Sequence, residues 1–363
     1  MMGKHRADFD YGNTRLRARK GDLLNNAAYE HLLGEDIDGV LRALADTPYA
    51  PPGEAAGRAG GLRRLHLAIR SRLAGSLEEM RSFYSGRARE LVDALLSRFD
   101  IHNVIAVLRA RAHPETSVDD ALAALVPVGW LVEPLANEIL RPHELAGVVD
   151  LLAMRMPDRE QAGVLRAAFG KYERTGDLAA LERAVLADHA ARLAGRLASA
   201  GKDGAALLRF GRREIDERNL VVALRLRDAI ASGAQDTAPP ADTALAGGSI
   251  PPATLAMVVP APTRAAIVAT VGRLAGGIWQ AALDRWMATG DLHALQRAFE
   301  RAAIADATAL FVTGDPLAID VPLAFTTAIQ VEARNLRLLG EAAARGIAPD
   351  VVRAELVRPE GRT

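Results

Sequence analysis

The chain has 363 residues, half of them hydrophobic, so it is long enough to bury the cores of two or three domains. Its 45 basic residues balance its 45 acidic ones, which argues against the net basic surface typical of nucleic-acid-binding proteins. Cysteine is absent, which excludes disulfides and cysteine nucleophiles and favours a cytoplasmic protein.

The N-terminal 22 residues lack the apolar core of a signal peptide. No stretch reaches 18 apolar residues, and the nearest candidate, residues 262–283, is interrupted by Arg264 and Arg273. We therefore expect no membrane span. Along the chain Ala, Leu, Arg and Glu recur at helical spacing, while alternation of period two is almost missing, so the sequence predicts an all-α fold.

The first long predicted helix comes after a Pro- and Gly-rich loop at Thr47–Gly61. Between Phe83 and Pro114 the apolar residues form one helical stripe, which predicts a helix of about 30 residues and about 45 Å. Asn103 lies inside that stripe. Asp100 lies three residues earlier and therefore shares its helix face.

A second copy of this pattern begins with TGDLAALERA, at Thr175–Ala184, where Thr175 or Asp177 is predicted to cap a helix. A long helix follows, and IDERNLVVAL at Ile215–Leu224 places Asp216 and Asn219 at the same three-residue spacing. The Pro-rich segment Ser232–Pro252 then reads as a loop or linker, part of which we expect to be disordered.

Both signatures occur again near the C-terminus. TGDLHALQRA begins at Thr289, and VEARNLRLLG contains Glu332 and Asn335. The three asparagines are 116 residues apart, the two TGDL segments are 114 residues apart, and GGLRRLHLA at Gly60–Ala68 is a weaker first copy. The conserved order and spacing predict three similar helical units of about 116 residues, at 1–120, 121–236 and 237–363.

The polar residues of the three asparagine segments form the candidate site. An asparagine in an apolar stripe needs hydrogen-bond partners, because burial without them costs about 1–3 kcal/mol. We therefore favour a structural role, in which each acid and asparagine bonds backbone or a neighbouring helix; direct contact with a partner is the alternative. The flanking arginines either grip carboxylates or carbonyls of a partner or form ordinary solvated faces. The full set is Asp100, Asn103, Asp216, Arg218, Asn219, Arg225, Glu332, Arg334, Asn335 and Arg337.

Signatures of catalysis are missing from the sequence. Gly-Lys is never followed by Ser or Thr, so there is no P-loop, and neither G-x-S-x-G nor H-E-x-x-H occurs. The acidic segment Gly34–Gly39 lacks the spacing of a calcium loop and reads as a helix entry. We predict no catalytic residue, no cofactor and no metal site, and hence an interaction protein.

Four segments carry a resemblance to a known family. YGNTRLRARKGDLLNNAAYEHLL, FDIHNVIAVLRA, EIDERNLVVALRLR and EARNLRLLGEAAARGIAPDVVRAEL begin at Tyr11, Phe99, Glu214 and Glu332. In their order and spacing they resemble the C subunit of the archaeal and bacterial V/A-type ATPases, a family related to the d subunit of eukaryotic V-ATPases. The resemblance covers nearly the whole chain. Two features depart from the family pattern, the long 232–252 segment and the eroded first TGDL copy.

The resemblance implies a specific architecture and role. Family members are all-helical and funnel-shaped, with three units around a pseudo-threefold axis. They are non-catalytic central-stalk subunits, bound peripherally on the cytoplasmic side of the membrane. One copy per complex links the central-stalk subunits to the proteolipid rotor ring and transmits torque for proton or other ion transport coupled to ATP turnover; alone, such a protein is expected to be monomeric. The alternatives are a helical-repeat scaffold for another protein partner and an enzyme whose site the sequence does not reveal.

Overall fold

A computed structural model describes residues 7–50, 60–113, 115–233, 243–272 and 279–358. Every regular element in these ranges is helical, which confirms the all-α prediction. In chain order the α-helices are α1 Asp10–Arg19, α2 Asn26–Leu32, α3 Ile37–Ala43, α4 Gly61–Ser82, α5 Gly86–Ala112, α6 Val118–Ala124, α7 Glu133–Ile139, α8 Leu145–Arg155, α9 Arg159–Thr175, α10 Leu178–Ala200, α11 Ala205–Ala231, α12 Pro252–Val258, α13 Arg264–Val271, α14 Gln280–Thr289, α15 Leu292–Thr313, α16 Asp320–Arg345 and α17 Pro349–Glu355.

The two TGDL segments are helix boundaries, as predicted. In each, the threonine ends one helix and the glycine adopts a left-handed conformation, with φ of +69° at Gly176 and +71° at Gly290. The aspartate then caps the next helix: Oδ1 of Asp177 and of Asp291 accepts the backbone N–H three residues on, at 2.9 Å. Two consecutive helices are thereby joined through a single tight turn.

The other predicted boundaries are found in part. Asp36 caps α3, so the acidic segment 34–39 is a helix entry. The predicted helix from Phe83 begins instead at Gly86, whose φ of +52° marks a turn, and α5 contains 27 residues. Pro114 and residues 51–59 and 234–242, which belong to the predicted helix end and to the two predicted loops, lie outside the described residues.

The described chain divides into two compact units. The first contains the described parts of Met1–Asn103, Ala123–Leu135 and Ile304–Thr363. Its central element is α16, which is buried along most of its length and packs against α1, α3 and α4. The burial of so many apolar side chains along α16 stabilises this unit through the hydrophobic effect.

Asn13 fastens the start of α1 inside the first unit. Its Nδ2 donates to the carbonyls of Pro316 and Ala318, at 2.7 and 3.0 Å, and its Oδ1 accepts from the Tyr84 hydroxyl at 2.7 Å. Gly12 makes this approach possible, because a Cβ there would lie 2.1 Å from a ring carbon of Tyr84. The YGN segment therefore ties the N-terminal helix to two distant parts of the chain.

The second unit consists of Val104–Leu122 and Ala136–Ala303. Its core lies between the C-terminal half of α11 and helices α12 to α15, where Leu220 and Leu224 meet a group of aromatic side chains. The rings of Trp279 and Phe299 are tilted against each other with centroids 4.9 Å apart. No helix of the described chain is long and apolar enough to cross a membrane. The predicted unit boundaries at 120 and 236 stay predictions.

Candidate protein interaction site on the asparagine helices

The three asparagines of the candidate site are buried in the long helices α5, α11 and α16. Each carboxamide binds both backbone groups of one later residue, since its Nδ2 donates to that residue's carbonyl oxygen and its Oδ1 accepts from the same residue's N–H. All six distances lie between 2.7 and 3.1 Å. We call each pair an asparagine clamp; the pairs are Asn103 with Val126, Asn219 with Leu245 and Asn335 with Val357.

Each clamp supplies hydrogen-bond partners to backbone groups that would otherwise be buried without any. A chain leaving a helix and crossing its face carries N–H and C=O groups that no helix or sheet satisfies. Asparagine offers a donor and an acceptor side by side, so one side chain satisfies both groups of one residue. The clamped residue follows its asparagine by 23, 26 or 22 positions, so the same bonds form over loops of different length.

The acids of the first two segments hold backbone one helical turn away from their asparagines. Oδ1 of Asp100 accepts from the N–H of Trp130 at 2.9 Å. The two carboxylate oxygens of Asp216 accept from Ser249 and Ile250, both at 2.9 Å. Acid and asparagine thus grip two successive points of the departing chain, which fixes its path across the helix.

Glycines allow this backbone to reach the carboxylates. A Cβ on Gly129 would lie 2.0 Å from Oδ1 of Asp100, and one on Gly248 would lie 2.1 Å from Oδ1 of Asp216. Each glycine immediately precedes a residue whose N–H the acid binds. A side chain at either position would collide with the acid.

Burial controls the protonation of Asp100. Desolvation raises the pKa of its carboxyl to about 6, although the bonds from the Trp130 and Leu131 N–H groups act in the opposite direction. The Asp100 carboxyl therefore takes up a proton at higher pH than an ordinary aspartate does.

Glu332, the acid of the third segment, has partners of a different kind. One carboxylate oxygen accepts from the Leu24 N–H, and the other accepts from the Tyr49 hydroxyl at 2.5 Å. Tyr49 is 1% exposed, and burial, aided by the Glu332 carboxylate, raises the pKa of its hydroxyl. Tyr49 therefore stays protonated and remains a donor to the glutamate.

A second set of contacts recurs six residues after each asparagine. The side chains at that position are Arg109, Arg225 and Glu341, and their partners are Glu182, Gln296 and His66 respectively. Each partner lies six residues after the glycine of a TGDL segment or of its faded first copy.

These three contacts differ in strength. Arg109 and Glu182 form a bidentate pair with both distances at 2.6 Å, and Arg225 donates to Gln296 at 3.0 Å. His66 lies 3.7 Å from Glu341, and burial lowers the pKa of the imidazole, so this contact is the weakest. The three contacts therefore form at the same position of each repeat, but different types of side chain form them.

The predicted arginines have different environments. Arg218, Arg225 and Arg337 are exposed, whereas Arg334 is partly buried. Desolvation lowers the pKa of the Arg218 and Arg337 guanidinium groups, and the nearby charge of Arg70 acts in the same direction on Arg337. Neither Arg218 nor Arg337 forms an ion pair with a described residue. Arg218 is nevertheless attracted by the nearby carboxylate of Glu182, which Arg109 binds, so Arg337 is the more available of the two for an anionic group.

Sequence reasoning missed several of these residues. Tyr49, Glu182 and His66 contact the asparagine helices from positions between 73 and 283 residues away in the chain. The only available signal was the repeat itself, since Glu182 and His66 occupy matching positions of the TGDL alignment. Among the described residues, no group of three or more His, Asp or Glu is placed to hold a metal ion.

Comparison with known proteins supplies an independent line of evidence. Residues 12–355 match the family model described as ATP synthase (C/AC39) subunit. The C subunit of the V-type ATP synthase of Thermus thermophilus is 31% identical over 353 residues, which cover 97% of this chain and 99% of that protein. The C subunit of the A-type ATP synthase of Haloferax volcanii is 27% identical over 350 residues, which cover 96% and 97%.

Proposed function

The chain belongs to the ATP synthase C/AC39 subunit family, and we propose that it is a non-catalytic coupling subunit of a rotary V/A-type ATP synthase. In this role it links the central shaft to the membrane rotor ring and transmits torque between ion flow and ATP turnover. The match over 97% of the chain and 99% of the Thermus protein carries the proposal. We place the protein on the cytoplasmic face of the membrane, one copy per complex.

The contacts of the asparagine helices support a passive mechanical role. A coupler has to keep its shape under load, so the chain that leaves each long helix has to be fixed to that helix. The three clamps fasten it at one point each, and Asp100 and Asp216 fasten it at a second point in the first two segments. Their recurrence supports three similar repeats, and we propose from the family membership that these repeats are arranged as in its funnel-shaped members.

We propose that exposed arginines of the asparagine helices, which are not held in ion pairs, contact the shaft. Arg218 and Arg337 are exposed and form no ion pair within the described chain, although the Glu182 carboxylate, which Arg109 binds, attracts Arg218 from nearby. An arginine so placed can form charge-assisted bonds to carboxylates or carbonyls of a docked protein. Arg225 is a weaker candidate, because Gln296 already accepts from it.

The proposal is tested by separating coupling from hydrolysis. The double variant Asp216→Ala/Asn219→Ala is assembled into the complete complex in membrane vesicles, and ATP synthesis driven by an ion gradient is measured. We expect coupled synthesis to fall while hydrolysis by the soluble sector alone is unchanged. Loss of hydrolysis in the soluble sector would contradict a non-catalytic role.

The interface is tested with a matched charge reversal. Arg218→Glu is expected to weaken co-purification with the stalk subunits, whereas Arg209→Glu, an exposed arginine on the same helix α11, is expected to leave it unchanged. Equal effects of the two variants would argue against a specific shaft contact. Failure of the unmodified protein to bind stalk or ring subunits would favour a scaffold for another partner.

A further inference from the structure

The third acid holds the beginning of the chain instead of the chain that follows it. Asp100 and Asp216 bind N–H groups 30 to 34 residues downstream. Glu332 binds the N–H of Leu24, which lies 308 residues upstream, and the hydroxyl of Tyr49. The pattern is thus completed by a segment from the other end of the sequence.

The elements that follow the bonded N–H groups correspond as well. The N–H groups of Trp130 and Ile250 are followed by α7 and α12, and that of Leu24 is followed by α2. All three helices have seven residues and begin two or three residues after the bonded group. Residues 24–32 therefore occupy, at the third acid, the place that downstream chain occupies at the first two.

We call each acid together with the groups that it binds a joint, and the third joint, Glu332 with Leu24 and Tyr49, the clasp. We propose that this clasp joins the first and third repeats non-covalently and that it can open independently of the other two joints. The first two joints are each bridged by continuous chain, so their partners stay close even when their hydrogen bonds break. The third joint has no such bridge. This inference rests on the proposed repeat organisation.

A close helix contact reinforces the clasp beyond the bonds of Glu332. Gly340 lies against α4, where a Cβ would be 2.4 Å from Leu65, so the two helices approach closely. The matching positions on the other asparagine helices, five residues after the asparagine, are the buried residues Leu108 and Leu224. A small residue is thus found only at the joint that lacks a chain connection.

The C-terminal helix closes the outer side of the clasp. Glu30 of α2 accepts from Arg353 of α17 at 3.3 Å and also from Arg358. Arg358, followed by Arg353, lowers the pKa of the Glu30 carboxyl, so the glutamate stays ionised at neutral pH. Val357, next to Arg358, is the residue that Asn335 clamps. Residues 24–30 and 353–358 are therefore fastened to α16 and to each other.

Hydrogen exchange of the isolated full-length protein tests the clasp. Tyr49→Phe removes the hydroxyl donor and nothing else. We expect the amides of residues 24–33 and 349–358 to exchange about ten- to a hundredfold faster, the factor for one hydrogen bond to a charged acceptor. The amides of residues 245–258, at the second joint, are expected to keep their parent rates.

Asp216→Asn is the matched control, because it weakens the second joint and leaves the clasp intact. It is expected to accelerate exchange at residues 245–258 and to spare the two terminal segments. The proposal is overturned if this variant loosens the termini as much as Tyr49→Phe does. It is also overturned if Tyr49→Phe loosens every joint equally or leaves all of them unchanged.

A disulfide lock supplies an independent arm, since the chain has no other cysteine. An ideal Cβ at Gly340 lies 3.6 Å from Cγ of Leu65, so Leu65→Cys with Gly340→Cys brings two thiols together. In the Tyr49→Phe background, oxidation is expected to return terminal exchange to the parent rate, and a closed disulfide without that effect would refute the clasp. All these measurements use the isolated chain, so a failure of coupling in vesicles would leave their outcome unaffected.

Discussion

Replacing Asn219 by alanine tests whether the clamps hold the fold together. Asn219 is 4% exposed and binds the carbonyl and the N–H of Leu245, both at 2.8 Å. The change removes both partners and adds no group that can replace them. Leu245 is itself buried, so its backbone groups gain little contact with water.

The expected loss follows from these two orphaned groups. A buried donor or acceptor that loses its partner costs about 1–3 kcal/mol. Two such groups give about 2–6 kcal/mol, of which local rearrangement at Leu245 recovers a part. We expect a net loss of about 3 kcal/mol, which is a large fraction of the 5–15 kcal/mol that typically separates folded from unfolded protein.

Urea unfolding followed by circular dichroism measures the global loss, and amide exchange of residues 243–258 measures the local one. Arg209→Ala is the control, because Arg209 is exposed on the same helix and has no described partner. If Asn219→Ala costs less than about 1 kcal/mol and matches the control, the clamp is not a stabilising element and the reasoning fails.

Three further changes test the surrounding joints. The raised pKa of Asp100 means that the folded protein binds this proton more tightly than the unfolded chain, so Asp100 is expected to contribute about 2 kcal/mol of added stability as pH falls from 7 to 4. Urea titrations of the parent protein and of Asp100→Asn measure this contribution as the difference between their pH dependences. Gly248→Ala places a Cβ 2.1 Å from the Asp216 carboxylate and should lower the free energy of unfolding by about 1–3 kcal/mol. Its control, Gly163→Ala, adds a Cβ in open space within α9 and should raise that free energy by about 0.5–1 kcal/mol in the same assay. Asp177→Ala removes a helix cap and should cost about 1 kcal/mol; no change in the thermal midpoint would contradict the capping role.

The sequence predicted the helices and several of their boundaries because these depend on local chemistry. Periodic apolar residues indicated the asparagine helices, and TGDL indicated a helix start because threonine and aspartate are preferred as N-caps. An asparagine in an apolar stripe also indicated a need for hydrogen-bond partners. Each of these inferences required only residues within about one helix of each other.

The partners of the site residues could not be predicted from the sequence. Val126, Leu245 and Val357 share no sequence feature, because the clamp binds backbone and accepts any side chain there. The bond between Glu332 and Tyr49 joins residues 283 positions apart, and only the folded chain brings them together. The sequence indicated that the acids and asparagines need partners, and the fold determines which partners they have.

The three tryptophans are distributed unequally between the two compact units, so their fluorescence reports mainly on one of them. Trp279 and Trp286 are buried in the second unit, while Trp130 belongs to the first and donates its backbone N–H to Asp100. Ultraviolet emission from the unmodified protein is therefore weighted toward one unit. Substituting Trp130 by phenylalanine confines the tryptophan emission to that unit, and substituting the other two leaves Trp130 as the one tryptophan, in the segment whose backbone Asp100 holds.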